Sequence, residues 1–422
     1  MTGERGPVPR PFSSYKEALA WLYGLQRFGI KLGLENIQRL LNDLQIVPGL
    51  KGVPWKIIHV AGTNGKGSVC AMIDSICRAQ GYRTGLFTSP HLITFRERIR
   101  VCGDMISETA VAVELTAIRK IVADWDPHPT FFEVTTALAL KHFSAAKIKL
   151  VILETGLGGR LDATNAIQSN VSVITPIDFD HQKWLGNTLV EIAGEKAGII
   201  KRGVPVVCAP QRSDVETVIR SRATELKAPL QVVNESYARS AVALPGRHQK
   251  QNAALAIAAV QAANVQLGEE AIVRGLAAIE WPARFQKWDE RTVIDGAHNV
   301  SAARVLADAW RQLFNDSKAT LVLAVLSDKD LRGICEALAP VADSVLLPQI
   351  RSERAAMPKA LAKVLSDVIP SLPCSTTSTI DDALMLARAK PNPILITGSL
   401  HFAGEVLAHL RGEPAAFEEC AQ

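Results

Sequence analysis

Ala61-Gly62-Thr63-Asn64-Gly65-Lys66-Gly67-Ser68 is the stretch that decides the fold. An apolar run, Ile57-Ile58-His59-Val60, precedes it. A helical pattern with Val69, Met72, Ile73 and Ile76 on one face follows, closed by Gly81. Strand, glycine-rich turn, lysine, hydroxyl and helix in that order hold nucleotide phosphates. The turn lets the backbone approach an anion, and the free N–H groups of the first helical turn point at it. Lys66 adds a mobile positive charge, and Ser68 offers a hydroxyl to phosphate or metal. The spacing departs from the common phosphate loop. Only two residues separate Gly62 from Gly65, and Gly67 intervenes before Ser68. An ordinary glycine-rich βα turn is the alternative. The flanking strand, the Lys-Gly-Ser and the amphipathic helix favour ATP or GTP binding in a variant class.

Outward from this loop, apolar strand-like runs at 56–60, 150–154, 171–175, 204–208 and 230–233 alternate with helical patterns such as 107–123 and 132–145. Such alternation implies a mainly parallel sheet covered by helices. A second series has strands at 292–294, 320–325, 343–347 and 393–397. Its helices lie near 302–313, from 331, at 358–368 and from 381. Polar and charged residues interrupt the pattern from Trp281 to Glu290. The expectation is therefore an α/β protein of two domains. Residues 1–285 carry a P-loop mononucleotide-binding sheet flanked by helices, and 286–422 form a smaller Rossmann-like α/β domain. A ligand site is expected in the cleft between them, beyond the carboxyl ends of the strands.

Composition narrows the class. A chain of 422 residues with 48% hydrophobic and 21% charged residues supports two cores and argues against extensive disorder. The net charge of +5 is mild and no Lys/Arg block stands out, so no nucleic-acid partner is indicated. No run approaches the ~20 apolar residues that span a bilayer, so no membrane partner is expected either. The polar, proline-rich 1–11 segment reads as a loose leader. Seven scattered cysteines without a C-x-x-C pair read as reduced thiols of a cytoplasmic protein.

Polar clusters follow the strands. Glu154 ends one and is trailed by Gly156, Gly158, Gly159, Arg160, Asp162 and Asn165. A carboxylate there can bind a hard cation such as Mg²⁺, although a strand-ending turn with a structural salt bridge is the plainer alternative. Asp180-His181 could supply a metal ligand or a charge-oriented imidazole. Lys196, between Glu195 and Ala197, reads by itself as a helix-surface lysine paired with Glu195 or Glu191. Asp295 could accept hydrogen bonds from a ribose. Arg284 could swing a charge onto phosphate, and both could instead be interdomain salt-bridge residues.

Together with Thr88-Ser-Pro-His-Leu92, Phe132-Glu133, Glu195-Lys-Ala-Gly-Ile199, Trp281-Pro-Ala-Arg284, Asp295-Gly-Ala-His-Asn299 and the early Lys31-Leu-Gly-Leu-Glu-Asn36, these motifs closely resemble the bacterial folylpolyglutamate synthase/dihydrofolate synthase family of the Mur ligase superfamily. The match runs from about Tyr15 to Gly404. The resemblance implies an ATP-dependent amide ligase that adds L-glutamate to 7,8-dihydropteroate, and to reduced folates, through an acyl phosphate. It implies that Asn64, Gly65, Lys66, Gly67 and Ser68 hold phosphates and that Asn252, Arg284 and Asp295 complete the ATP site. It makes Ser89, Glu154 and His181 Mg²⁺ ligands. Lys196 becomes an N-carboxylated lysine, formed with CO₂, that binds a second Mg²⁺, which overturns the helix-surface reading. Lys66, Lys196, His181 and His298 would be catalytic, with His298 near the incoming glutamate. Thr130, Phe131, Phe132, Glu133, Leu161, Asp162 and Ala163 would line the dihydropteroate site. The two phenylalanines suit stacking near a pterin and equally suit a core. The partners would be small molecules (dihydropteroate or a reduced folate, L-glutamate and ATP), and the state a monomer.

Three positions depart from the family pattern. Ala283 replaces a common glycine and could stiffen the linker. Asp178 adds a carboxylate without an assigned role, and Val300 stands where proline is frequent. The alternatives weighed are a Mur-type ligase acting on a UDP-muramoyl substrate and a non-ligating, ATP-hydrolysing switch protein.

Overall fold

The computed structural model describes residues 10–29, 31, 33–46 and 55–418. Most of the expected leader, Leu32 of the early motif and Cys420 lie outside them.

Two sheets organise the chain. The first contains β1 (Lys56–Ala61), β2 (Thr84–Phe87), β3 (Ile99–Val101), β4 (Asp104–Met105), β5 (Leu150–Glu154), β6 (Val171–Ile174), β7 (Val206–Cys208) and β8 (Leu230–Val232). Their order across the sheet is β4-β3-β2-β5-β1-β6-β7-β8. The six from β2 to β8 are parallel, and β3 and β4 close one edge antiparallel. The chain leaves β1 toward one edge and later crosses to the other. The turn after β1 therefore lies where the winding reverses, the place at which such sheets open a crevice for ligands.

The second sheet holds β9 (Gln286–Lys287), β10 (Thr292–Ile294), β11 (Ala319–Leu323), β12 (Ala342–Pro348), β13 (Cys374–Thr377) and β14 (Ile394–Thr397), ordered β13-β12-β11-β14-β10-β9. All pairs are parallel except β9 with β10. The expected strand runs are found, most within a residue or two of their ends. Sequence periodicity missed β2 and β13, and with them the very short β3, β4 and β9. Thr84-Gly85-Leu86-Phe87 contains a glycine because a Cβ at Gly85 would stand 2.4 Å from Ile148 and 2.9 Å from Phe143. The polar Cys374–Thr377 is an edge strand and only partly buried.

Helices cover both faces of each sheet. On the first sheet, Tyr15–Gly24, Glu35–Asp43, Glu108–Val122 and Phe131–Ala145 build one core, Lys66–Ala79, Arg247–Ala262 and Glu269–Ala277 build a second, and Leu189–Ala197 and Ser213–Glu225 pack on β6 and β7 as a third. The second sheet has its own two cores. Leu92 and Ile93, from the loop after β2, are packed in the core formed around Ile294, Ile396 and Phe402. The first domain is thereby plugged into the second. Among the described residues no helix is long and apolar enough to cross a membrane, and six cysteines are free thiols.

Candidate active site

The turn after β1 is shaped by three close approaches. Gly62 has φ +146°, and a Cβ there would meet Thr175 Oγ1 at 1.9 Å. Gly65 is left-handed at φ +88°, and a Cβ there would stand 2.9 Å from Asn252 Oδ1. Gly67, the residue that disturbs the usual spacing, lies under the Trp281 indole, whose Nε1 would be 3.1 Å from a Cβ. The helix Lys66–Ala79 starts immediately after Gly65, so its first N–H groups face the cleft. Lys66 Nζ bends back to the carbonyls of Gly62 and Thr63, at 3.1 Å each. Ser68 Oγ accepts from Gln249 Nε2 at 3.4 Å, and Gln249 in turn holds Asn252 at 3.0 Å.

Next to the loop, β5 delivers Glu154, which is 5% exposed. Burial raises its pKa, while Lys66, the Ser89 amide, Arg284 and Arg98 pull it back. Its Oε2 accepts from Ser89 N at 3.1 Å. The Ser89 hydroxyl is buried and has no protein partner. A buried carboxylate beside an orphaned hydroxyl suits a hard cation. Among the described residues no three His, Cys, Asp or Glu side chains converge as a ready cage. Mg²⁺ is usually held by one or two carboxylates with phosphate and water, so this donor set fits it.

Lys196 is not a surface lysine. It lies on the helix Leu189–Ala197, is 4% exposed, and donates to Gly62 O at 2.8 Å. Glu195 instead pairs with Arg160 at 2.8 Å, and Glu191 caps its own helix at Thr188. The glycine run after β5 makes this seat possible, since a Cβ at Gly159 would be 2.9 Å from the carbonyls of Glu195 and Lys196. Desolvation first, then the Lys66 charge, lowers the Lys196 pKa to about 7. A large share of this amine is therefore neutral and nucleophilic near neutrality.

Asp180 joins the domains. Its Oδ1 accepts from Lys329 Nζ at 2.7 Å, and its Oδ2 accepts from Asn299 Nδ2 at 3.2 Å and faces His298 Nε2 at 3.4 Å. Burial opposes its charge, but the hydrogen bond and charge of His298, then His181 and Lys329, hold it below the ordinary carboxylate range. His181 follows at φ +52° and is pushed down to about 4, mainly by desolvation. His298 Nδ1 lies 3.1 Å from Gly296 O. Asn64 adds a second clasp, donating to Ser301 Oγ at 2.6 Å and accepting from Asn299 Nδ2 at 3.0 Å.

Arg284 and Asp295 meet at the linker. Asp295 accepts from the Phe285 amide at 2.7 Å and the Ala297 amide at 2.8 Å, and Arg284 Nη1 donates to Ala283 O at 2.9 Å. Burial raises Asp295 and lowers Arg284, and each partly offsets the other.

The expected dihydropteroate segment lines the same cleft, of about 1630 Å³. Thr130 and Glu133 form a reciprocal cap of the helix Phe131–Ala145. Phe131 stacks on Tyr23 at 5.6 Å and 11° and is mostly a core ring, whereas Phe132 is partly exposed and tilts against Phe87. Ala163 is buried, and both oxygens of Asp162 are engaged by backbone and Thr164 donors. Leu161 is at the cleft wall. Asp178 lies in the loop after β6. Its carboxylate accepts from Phe179 N at 2.8 Å, and its carbonyl accepts from Thr63 Oγ1 at 2.9 Å.

All the sequence-derived candidates thus border one cleft. Sequence reasoning missed Lys329 and Gln249, and it quoted Trp281 within a motif without giving it the role over Gly67 that it has here. Lys329 lies in Leu326-Ser-Asp-Lys-Asp330, a polar cluster shortly after a strand, which is the same signal that found Asp180 and Asp295.

Comparison with known proteins bears on this cleft. Residues 60–209 match the Mur ligase middle domain, and residues 283–400 match the Mur ligase glutamate ligase domain. A dihydrofolate synthase/folylpolyglutamate synthase of Bacillus subtilis is 36% identical over 95% of this chain and 100% of its own length. The Mycobacterium tuberculosis folylpolyglutamate synthase complexed with ADP and AMPPCP superposes with a TM-score of 0.86 at 33% identity, over 94% of this chain and 99% of that one. The Yersinia pestis bifunctional folylpolyglutamate synthase/dihydrofolate synthase complexed with AMPPNP and Mn ion gives 0.84 at 33% identity, over 96% and 100%.

Proposed function

The chain belongs to the folylpolyglutamate synthase/dihydrofolate synthase family of Mur ligases, and on that premise we propose that it joins L-glutamate to 7,8-dihydropteroate and to reduced folates through an acyl phosphate. It is an ATP-dependent, amide-forming ligase. The observation that carries the proposal is the single cleft in which the phosphate loop, Glu154 and the Thr130–Glu133 wall face Asn299, His298 and Lys329 of the second domain.

The chemistry demands that two anions meet. An acceptor carboxylate oxygen attacks the γ-phosphorus and ADP leaves. The amine of glutamate then attacks the acyl carbonyl, phosphate leaves, and the amine gives up a proton. Lys66 and the helix N-terminus lower the repulsion in the first step. Glu154, Ser89 and His181 would hold one Mg²⁺, and carboxylated Lys196 a second. Bound there, the ions screen charge between phosphate and carboxylate. Arg284, Asp295 and Asn252 orient the nucleotide, and His298 borders the glutamate site.

Carboxylation of Lys196 adds the neutral amine to CO₂, forming an N–C bond and releasing one proton. Its depressed pKa and its seat at Gly62 support this. Carbon-13 NMR of protein equilibrated with labelled CO₂ tests it directly. Lys196→Ala is expected to lose activity and regain part of it with a small exogenous carboxylate. We place the domain boundary at residues 285/286 and the working state as a monomer in the cytoplasm.

The deciding experiment is ADP release by purified protein with glutamate plus either dihydropteroate or a tetrahydrofolate. Release that requires both glutamate and an acceptor is expected. Release independent of glutamate would leave an ATP-hydrolysing switch, and no release with either acceptor would overturn the proposal.

A further inference from the structure

The last described residues leave the second domain and return to the first. Phe417 sets its ring against His401 at 90°, with centroids 5.0 Å apart. Its neighbour Glu418 then reaches the loop after β2. Glu418 N donates to Ile93 O at 2.7 Å, and Glu418 O lies 3.0 Å from His91 Nε2. The Glu418 carboxylate accepts from Phe95 N at 2.5 Å, Tyr15 OH at 3.1 Å and Thr94 Oγ1 at 3.3 Å.

The His91 tautomer follows from its partners. Arg98 Nε lies 2.9 Å from His91 Nδ1, and a guanidinium can only donate. Nδ1 is therefore the acceptor, and Nε2 carries the proton given to Glu418 O. His91 stands two residues after Ser89. Beyond it, Leu92 and Ile93 sit in a core of the second domain. Gly404 on the helix Leu400–Leu410 backs the loop, because a Cβ there would be 2.0 Å from Leu92 O. Glu97 holds the loop from within by accepting from the amides of Leu92, Ile93 and Thr94. Local shape is thus internal to the loop, and its placement relative to the second domain is supplied from outside.

We propose that Glu418, with Phe417, is a positioning residue that straps the second domain to the 88–98 loop. It fixes where Ser89 stands opposite Glu154, and so sets how tightly the cleft holds a divalent cation with nucleotide. The part concerning the cation rests on the ligase reading above; the strap itself does not. Glu97 keeps the loop folded without Glu418, so the full-length Glu418→Ala protein is a usable test. Glu418→Gln keeps an acceptor for Phe95 N.

Two readouts need no turnover. In the free protein, hydrogen exchange at the Phe95 amide should quicken roughly ten-fold or more in Glu418→Ala, and less in Glu418→Gln. Binding of Mn²⁺ in the presence of a non-hydrolysable ATP analogue, read by electron paramagnetic resonance, should weaken by roughly five-fold in Glu418→Ala and be partly restored in Glu418→Gln. In turnover, the Mg²⁺ needed for half-maximal ADP release should rise by a similar factor, with kcat at saturating Mg²⁺ and the KM for glutamate nearly unchanged. Unchanged exchange at Phe95 overturns the strap. Faster exchange with unchanged Mn²⁺ affinity overturns its bearing on the site. Should Glu418→Ala fail to fold, Glu418→Gln and Phe417→Ala carry the same comparison. If the parent protein releases no ADP, the ligase reading fails while the exchange and Mn²⁺ measurements still decide the strap.

Discussion

Lys196 Nζ lies 2.8 Å from the carbonyl oxygen of Gly62, so a buried amine rests on the first glycine of the phosphate loop. Lys66 reaches the same oxygen at 3.1 Å. Two lysines thus converge on one acceptor, and desolvation of the buried Lys196 lowers its pKa.

That burial predicts a trade between stability and activity. Lys196 falls from 10.5 to about 7, by desolvation and then Lys66. Between those values the unfolded chain binds a proton there that the folded chain does not, so stability rises with pH across the window. In CO₂-free buffer, Lys196→Met should be more stable than the parent near pH 7, by up to roughly 4 kcal/mol. The gain should shrink as pH approaches 10.5, and ligation should be lost. Thermal unfolding near neutrality and at about pH 9 checks it; a Met variant that is less stable at both would count against desolvation of the amine.

His59 predicts an acid-side effect. Thr164 gives its hydroxyl proton to Asp162, so His59 Nε2 donates to Thr164 Oγ1, at 2.8 Å. Burial, then Lys201, pushes His59 from 6.5 to about 3. As pH falls through that window the unfolded state takes up a proton and the native state does not, and stability drops by about 1.4 kcal/mol per unit from this group. His59→Gln should give a flatter profile below pH 6.5. Urea unfolding at several pH values would refute this if the two profiles ran parallel.

Asn299 has two separable tasks. It caps the helix Val300–Leu313 through Ala302 N at 2.9 Å, and it bridges to Asn64 and Asp180. Asn299→Ala should cost about 1–2 kcal/mol and raise the KM for ATP. Asn299→Asp can still cap, yet it sets a second anion against Asp180. It should recover stability in melting curves while ATP binding stays weak. Recovery of both together would mean that capping alone matters.

Ala283 explains its own departure from the family pattern. It is fully buried at φ +55°, two residues before Phe285 at φ +46°. A left-handed alanine costs about 1 kcal/mol, and a buried methyl returns about 0.8 kcal/mol. Ala283→Gly should therefore leave unfolding free energy within about 1 kcal/mol of the parent while loosening the linker. Ala283→Val should destabilise by at least roughly 2 kcal/mol, since a β-branched residue is a true outlier there. Equal stability of the valine variant would contradict the assigned backbone.

Much of the fold is legible in the chain because parallel strands buried on both faces write long apolar runs. Strands β3 and β4 at one side of the first sheet and the edge strand β9 of the second are only two or three residues long, too short to show a period. Local pattern alone misleads at Lys196, since a lysine beside glutamates on a helix has the spacing of a surface pair. Its burial depends on Gly62 and Gly159, both distant in sequence.

The phosphate loop, the alternation that makes two α/β units and the clusters of polar residues after strands are all written in the chain. These features are local: they follow from side-chain period, from glycine and from helix termini. Which groups share an acceptor or a partner is settled only when the chain is folded. Folding set Lys196 on Gly62, Asp180 between Lys329 and Asn299, and Glu418 against His91. Such contacts depend on strand order and on how one domain plugs into the other. Desolvation and close charge then fix protonation in ways that no window of sequence contains.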